Sequence, residues 1–407
     1  MKFNSIFLFY ITVLSLFVGI VSALFLVLVN FLIHHLWETI PAALQLGNYY
    51  PLVLGLIGGI LVGFSQRYLG PYPHTLEETL HEFKATNTVA YKHAVTRNFF
   101  AATIVLSFGA SLGPEAALSS ILGGMISWLG DQMKLTLAKK EQLVNLSIGT
   151  MLSAIFHAPF VGISDSFEEE LKKGYISIKW KKVLVYGFAT IFGIIGFTLV
   201  NRMFPKESVL GIHRSAVIWQ SKVLLLIVPA MVIGTLFGYF FLMIEKMSNQ
   251  IAAKIKHPFI LAIAAGLLIG LLGMISPYFL FSGEHELLPL SKNYPELSIG
   301  FLLFLAVGKV ILTNVCFAFG WRGGKIFPAI FSSATIAFVM VRVFPYTPGL
   351  IVGIVVAASV TIILKQPLVT AALLLFLFPI QFFPAIVLVC YLVKWMDSWM
   401  NHRRLIG

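Results

Sequence analysis

The sequence predicts an all-α polytopic membrane protein, an inverted repeat of two halves with many tilted and broken transmembrane helices, on three observations. Hydrophobic residues make up 58% of the 407 and charged residues only 11%, a balance suited to a lipid solvent rather than to water. Apolar blocks recur along the whole chain. Within two of them a glycine and proline signal falls where a helix should begin: Ala110-Ser111-Leu112-Gly113-Pro114-Glu115 and Gly323-Gly324-Lys325-Ile326-Phe327-Pro328. A helix starting at bilayer depth has unpaired N–H groups and the positive end of its dipole there, so it must face protein, water or an anion. An anion-binding site is the simplest reading.

Taken in order, the first block, Phe3 to Ile33, contains no Asp, Glu, Lys or Arg. A crossing helix needs only about 20 apolar residues, and a cleaved leader would have a shorter apolar region. Further blocks run over 51–66, 99–130, 143–163, 183–200, 222–244, 258–281, 298–319, 326–344 and 347–396. Their internal Gly and Pro residues imply roughly ten to eighteen helices, many too short to span. No polar, Pro-rich or repetitive stretch is long enough for a second domain. Residues 1–407 therefore read as one transmembrane domain, with repeat halves near 50–200 and 220–400.

Lys and Arg total 29 against 17 Asp and Glu, and cluster at Lys134 to Lys140, Lys172 to Lys182, Lys246 to Lys256 and Arg403-Arg404. The positive-inside rule puts these segments in the cytoplasm. The clusters are short and flank apolar spans, so topology explains the charge better than a nucleic-acid partner does. Cys316 and Cys390 lie inside apolar blocks and suggest neither a disulfide framework nor a metal site.

The repeat is visible in the order of motifs. Pro114 precedes Glu-Ala-Ala-Leu-Ser119-Ser120 as Pro328 precedes Ala-Ile-Phe-Ser332-Ser333, and Phe156-His157-Ala158-Pro159 parallels Leu364-Lys365-Gln366-Pro367. In transporters built from inverted repeats, broken helices of the two halves meet near the midplane. The two helix starts then belong to one pathway.

These residues resemble the CLC chloride channels and anion/proton antiporters over most of the chain. Val310 to Gly320 running into Gly323-Gly324-Lys325-Ile326-Phe327-Pro328 is similar to the family segment that binds chloride through backbone N–H groups. The resemblance implies Lys325, Ile326 and Phe327 as donors, joined by Leu112 and Gly113 from the first motif. Leu112 occupies the place of the family's gating glutamate, and leucine can neither stand in for an anion nor carry a proton. Glu115 follows closely, as a displaced gate or as an acid stabilising the first turn of its own helix. Leu69-Gly70-Pro71-Tyr72-Pro73 lies where the family has a serine that coordinates the central ion. Gly70 replaces that serine, leaving backbone donors with the hydroxyl of Tyr72 or Thr75. His157-Ala158-Pro159 through Glu168-Glu169 is similar to the run that ends in the family's internal proton-transfer glutamate, matched by Glu169. The family's coordinating tyrosine on its last membrane helix has no counterpart here, and Tyr391 lies too early. The resemblance implies no adenine-nucleotide regulation, since this sequence stops where eukaryotic relatives add nucleotide-sensing modules.

Other chemistry is poorly supported. Gly109-Ala110-Ser111-Leu112-Gly113 fits a nucleophile pattern, with Ser111 as nucleophile and His157 as base of an intramembrane protease, but that pattern expects a strand before the serine. His81-Glu82 and His285-Glu286 do not complete a His-Glu-x-x-His metal motif. Cation carriers need carboxylates in their central spans, which are few here. The expectation is a non-enzymatic pathway for chloride or a similar small anion, without cofactor, in the cell's inner or plasma membrane. With Leu112 in the gate position the expectation is passage without the standard proton coupling, and the alternative is a proton-coupled anion antiporter that uses Glu115 as a displaced gate. The resemblance adds a homodimer.

Overall fold

The computed structural model describes residues 5–45, 47–134, 136–172, 180–204, 212, 219–255 and 257–406. Helices account for nearly all regular structure. Among the described residues there is no strand, and one antiparallel bridge joins Gly113 to Gly324. The first part runs α1 (Ser5–His34), continued by a π-helical turn (His35–Thr39) and α2 (Ile40–Ala43), then α3 (Tyr50–Tyr68), α4 (Leu76–Thr86), α5 (Ala94–Ser107), α6 (Glu115–Gln132), α7 (Leu137–Ile155), α8 (Val161–Lys172) and α9 (Trp180–Asn201). The second runs α10 (Ile227–Lys254), α11 (Pro258–Ile275), α12 (Leu287–Asn293), α13 (Ile299–Ala318), α14 (Ile326–Val343), α15 (Pro348–Leu364), α16 (Pro367–Leu377) and α17 (Phe383–Ile406). Among the described residues eight helical segments are long and apolar enough to cross a membrane. Others, α15 and α16 among them, are apolar but shorter. The chain is a multi-pass membrane protein of the all-α class that its composition predicts.

Burial separates a lipid-facing shell from a protein-facing centre. On α1, Phe9, Val13, Phe17, Leu24 and Phe31 are exposed, and α10 presents Val228, Val232 and Leu236 in the same way. A row of large apolar side chains pointing outward suits hydrocarbon. By contrast, α15 is buried on every face from Leu350 to Ile362, and α6 and α14 are buried along most of their lengths. A helix apolar all round belongs in the interior. The two broken helices therefore start inside protein.

Close backbone contact replaces hydrophobic drive between membrane helices. At the α3–α11 seam a Cβ added at Gly55 would strike the carbonyl of Gly266, and one added at Gly266 would strike that of Gly55. Gly266→Leu should force these helices apart, at a cost of about 1–3 kcal/mol. The thermal midpoint of the purified protein is expected to fall, and an unchanged midpoint would show that the seam tolerates separation.

Candidate functional site

The helix starts expected within Ala110 to Glu115 and within Gly323 to Pro328 fall at Glu115 for α6 and at Ile326 for α14. Pro114 caps α6, and Pro328 lies in the first turn of α14, where a missing N–H costs little. Neither cap residue, Pro114 or Lys325, bonds its helix start with its own side chain. The two meet directly: Gly113 N–H donates to Gly324 O and Gly324 N–H to Gly113 O, both at 2.8 Å.

Glu115 is 3% exposed and reaches across this bridge. Its Oε1 accepts from Ile326 N–H at 2.8 Å, while the N–H groups of Phe327 and of Glu115 itself also face the carboxylate. Its Oε2 is buried without a partner. Space for the carboxylate exists because both bridge residues lack side chains: a Cβ at Gly113 or Gly324 would collide with the Glu115 carboxyl group. Glu115 thus serves the first turn of the opposite helix as well as its own.

The other predicted donors are arranged differently. Leu112 N–H is used within its turn, on Ala110 O at 2.8 Å, and Gly113 N–H is used in the bridge, so the local backbone engages both. The Leu112 side chain is 1% exposed and would contact a Cβ at Gly323. Lys325 is the cap residue of α14, and its Nζ lies 2.5 Å from Glu245 Oε1 of α10 and 3.7 Å from the Phe317 ring centroid. Phe327 is buried and stacks on Phe156 at 4.2 Å, which brings the loop before α8 against the site.

Gly70 lies in the loop before α4 with φ +101°, and its carbonyl accepts from Tyr72 N–H. This loop joins the one preceding α14: Gln66 Nε2 donates to both Tyr72 O and Gly320 O, and Arg322 Nη1 donates to Pro71 O. Arg322 also pairs with Glu78. Of the two hydroxyls suggested for the central position, that of Thr75 is committed to a capping box with Glu78 at the start of α4, and Tyr72 stacks on His74.

Glu169 falls on α8, and its side chain lies outside the described residues, as do those of Lys172, Lys173 and Lys179. Its neighbour Glu168 is 6% exposed, and its Oε2 accepts from Leu368 N–H at the start of α16 at 3.0 Å. A second acid of the first part of the chain thus meets a helix start of the second. Pro367 opening a helix with no Ser, Thr, Asp or Asn before it was the available signal.

No Ser111–His157 pair is formed. Ser111 Oγ is hydrogen-bonded to Thr313 Oγ1 at 2.9 Å, while the His157 ring packs edge-on against Phe197 and leaves Nδ1 without a partner. The protease reading therefore loses its geometry.

Sequence reasoning missed Lys309, a fully buried lysine on α13. Its ammonium donates to the carbonyls of Tyr278, Phe279, Leu280 and Phe281 at 2.7–3.2 Å. This clamp shapes the connection between α11 and α12, and Phe281 N–H then donates to Gly109 O at 3.2 Å, beside the first motif. The only sequence signal was a charge inside an apolar block.

Comparison with known proteins agrees with this architecture. A sequence model described as the voltage-gated chloride channel family matches residues 76–398. A protein of Shigella flexneri named for ion transport, YfeO, is 27% identical over 350 residues, covering 82% of this chain and 79% of its own. Its Escherichia coli O1:K1 counterpart is 26% identical over 348 residues, with the same shares. Among solved structures, a slow cyanobacterial Cl⁻/H⁺ antiporter superposes with a TM-score of 0.77 at 18% identity, covering 95% of this chain and 92% of that one. A CLC-type fluoride/proton antiporter gives 0.70 at 16% identity, covering 97% and 96%. The match over residues 76–398, together with the paired helix starts, places this chain in the voltage-gated chloride channel (CLC) family of anion channels and transporters.

Proposed function

We propose that the protein carries chloride or a similar small monovalent anion past the paired starts of α6 and α14, with Glu115 as its gate. One observation carries this reading: the Glu115 carboxylate lies on Ile326 N–H, among the donors an anion would use. A carboxylate there stands in for a bound anion. Two helix ends, each about half a positive charge, face it in a low-dielectric surrounding, so no fixed cation is required. The nearest cations by sequence, Arg322 and Lys325, are paired with Glu78 and Glu245. Weak binding by peptide dipoles also allows release.

In the closed arrangement the tethered carboxylate competes with anions for the same N–H groups. Protonation removes its charge, weakens its hold on Ile326 N–H and lets an anion take the donors. Flux should therefore rise as pH falls. Glu115→Gln is expected to raise anion efflux from liposomes at neutral pH and to flatten its pH response. Retention of the wild-type response would reduce Glu115 to a helix cap.

The absence of an acid at position 112 favours a second reading, uncoupled conduction. A proton indicator in the same liposomes separates the two. Proton movement in fixed ratio to chloride, nitrate or fluoride, and lost in the glutamine variant, means exchange; anion flux without it means a channel.

Gly324→Ala provides an independent check, because the added Cβ would occupy the place of the carboxyl group. Anion flux is expected to fall at every pH while the protein stays folded by thermal melting. Wild-type flux would mean that ions pass elsewhere.

The homodimer, with one pore per subunit in the inner or plasma membrane, belongs to the same proposal and rests on the family resemblance. Cross-linking in liposomes should trap a dimer, and recovery of monomer alone would remove that part.

A further inference from the structure

Pro41 accounts for the widened turn at the end of α1. A proline inside a helix has no N–H to give, and its ring strikes the carbonyl four residues back, which here belongs to Trp37. The chain responds with the π-helical turn His35–Thr39, in which Ile40 N–H reaches back to His35 O. Leu36 O, whose π-helical donor would be the missing N–H of Pro41, accepts instead from the Tyr50 hydroxyl of α3 at 2.7 Å. Single π-turns within α-helices are frequent at functional sites.

This turn carries Trp37 onto the chain that enters the first motif. Its Nε1–H donates at 2.9 Å to the carbonyl of Ser107, the last residue of α5. Gly109, with φ +84°, lies against the ring: a Cβ there would come within 2.7 Å of Trp37 Cζ2. Phe281 completes the junction, its ring edge-on to the indole at 5.4 Å and its N–H on Gly109 O at 3.2 Å, while the Lys309 ammonium holds Phe281 O at 2.7 Å. Between Ser107 and Gly109, Phe108 rests on α3, where a Cβ at Gly58 would strike both Phe108 and Trp321, just before the second motif. The approaches to the two helix starts share that platform.

We propose that Trp37, set by the π-helical turn, is a positioning residue for Glu115: it fixes Ser107 and Gly109, and through them the start of α6. This assignment rests on the reading of Glu115 as the gate. The same chain is pinned again at Ser111, by Thr313, and at Gly113, by Gly324. Glu115 Oε1 is thus delivered to Ile326 N–H by a segment held at alternate residues. The Ile326 N–H belongs to α14 and not to this segment. Slackening the segment therefore weakens the tethered carboxylate as a competitor and leaves the anion's own donors in place.

The test is the chloride concentration that gives half-maximal flux in liposomes, for wild type, Trp37→Phe, Glu115→Gln and the double variant. Removing the competitor should lower this concentration in Glu115→Gln. Trp37→Phe keeps a ring but loses the donor to Ser107 O; it is expected to lower the concentration about threefold, the scale of one hydrogen bond, and to add nothing in the double variant, because both changes act on one carboxylate. Partial unfolding reduces the maximal flux and leaves the half-maximal concentration alone, so the readout separates positioning from loss of fold. If Glu115→Gln shifts while Trp37→Phe matches wild type, or if the two shifts add in the double variant, the positioning role is overturned and the gate stands. If Glu115→Gln keeps the wild-type concentration, the gate reading falls and takes this assignment with it. Should Trp37→Phe fail to fold, Pro41→Ala replaces it, since without the proline the turn can close to an α-helix and swing the indole from Gly109; an unaltered concentration in that variant overturns the positioning role.

Discussion

Peptide N–H groups at a helix start have no partner within the helix, and in a bilayer no water is at hand to supply one. That constraint organises the centre of this protein. The chain opens α6 and α14 among buried residues and uses two solutions at once. Backbone pairs with backbone at Gly113 and Gly324, which sets the separation of the two starts. The groups left over receive a carboxylate. The Phe156–Phe327 stack packs against the second start, and α15 is buried from Leu350 to Ile362.

The position of that carboxylate shows why a motif register is a poor guide to where an acid lies. The family places its acid where this chain has Leu112, and the acid here follows at Glu115. A helix end attracts negative charge whatever its point of attachment, so what counts is whether the tether reaches. From the first residue of α6 the glutamate side chain crosses to the opposite helix because two successive obstacles, the side chains at 113 and 324, are absent.

The cations near the site serve a different purpose. Arg322 precedes the second motif and Lys325 lies within it, but they are held by Glu78 and Glu245, and Lys309 spends its ammonium on four carbonyls. A buried charge is tolerable only when paired or well hydrogen-bonded. Their arrangement braces the loops, leaving the field at the site to peptide dipoles. That suits an ion that must depart as readily as it arrives.

Class, family and the residues at which the broken helices begin were legible in the sequence, because apolar content, glycine and proline act locally. The unsatisfied N–H groups of Ile326 and Phe327 were legible too, since a helix start exposes its N–H groups whatever residue bears them. The partners of those donors were not legible. Glu115 and Ile326 lie 211 residues apart, Ser111 and Thr313 lie 202 apart, and Lys309 meets carbonyls 28–31 residues upstream. Only packing decides such pairings: the sequence shows which polar groups enter the membrane unsatisfied, and the tertiary structure determines which of them neutralise one another.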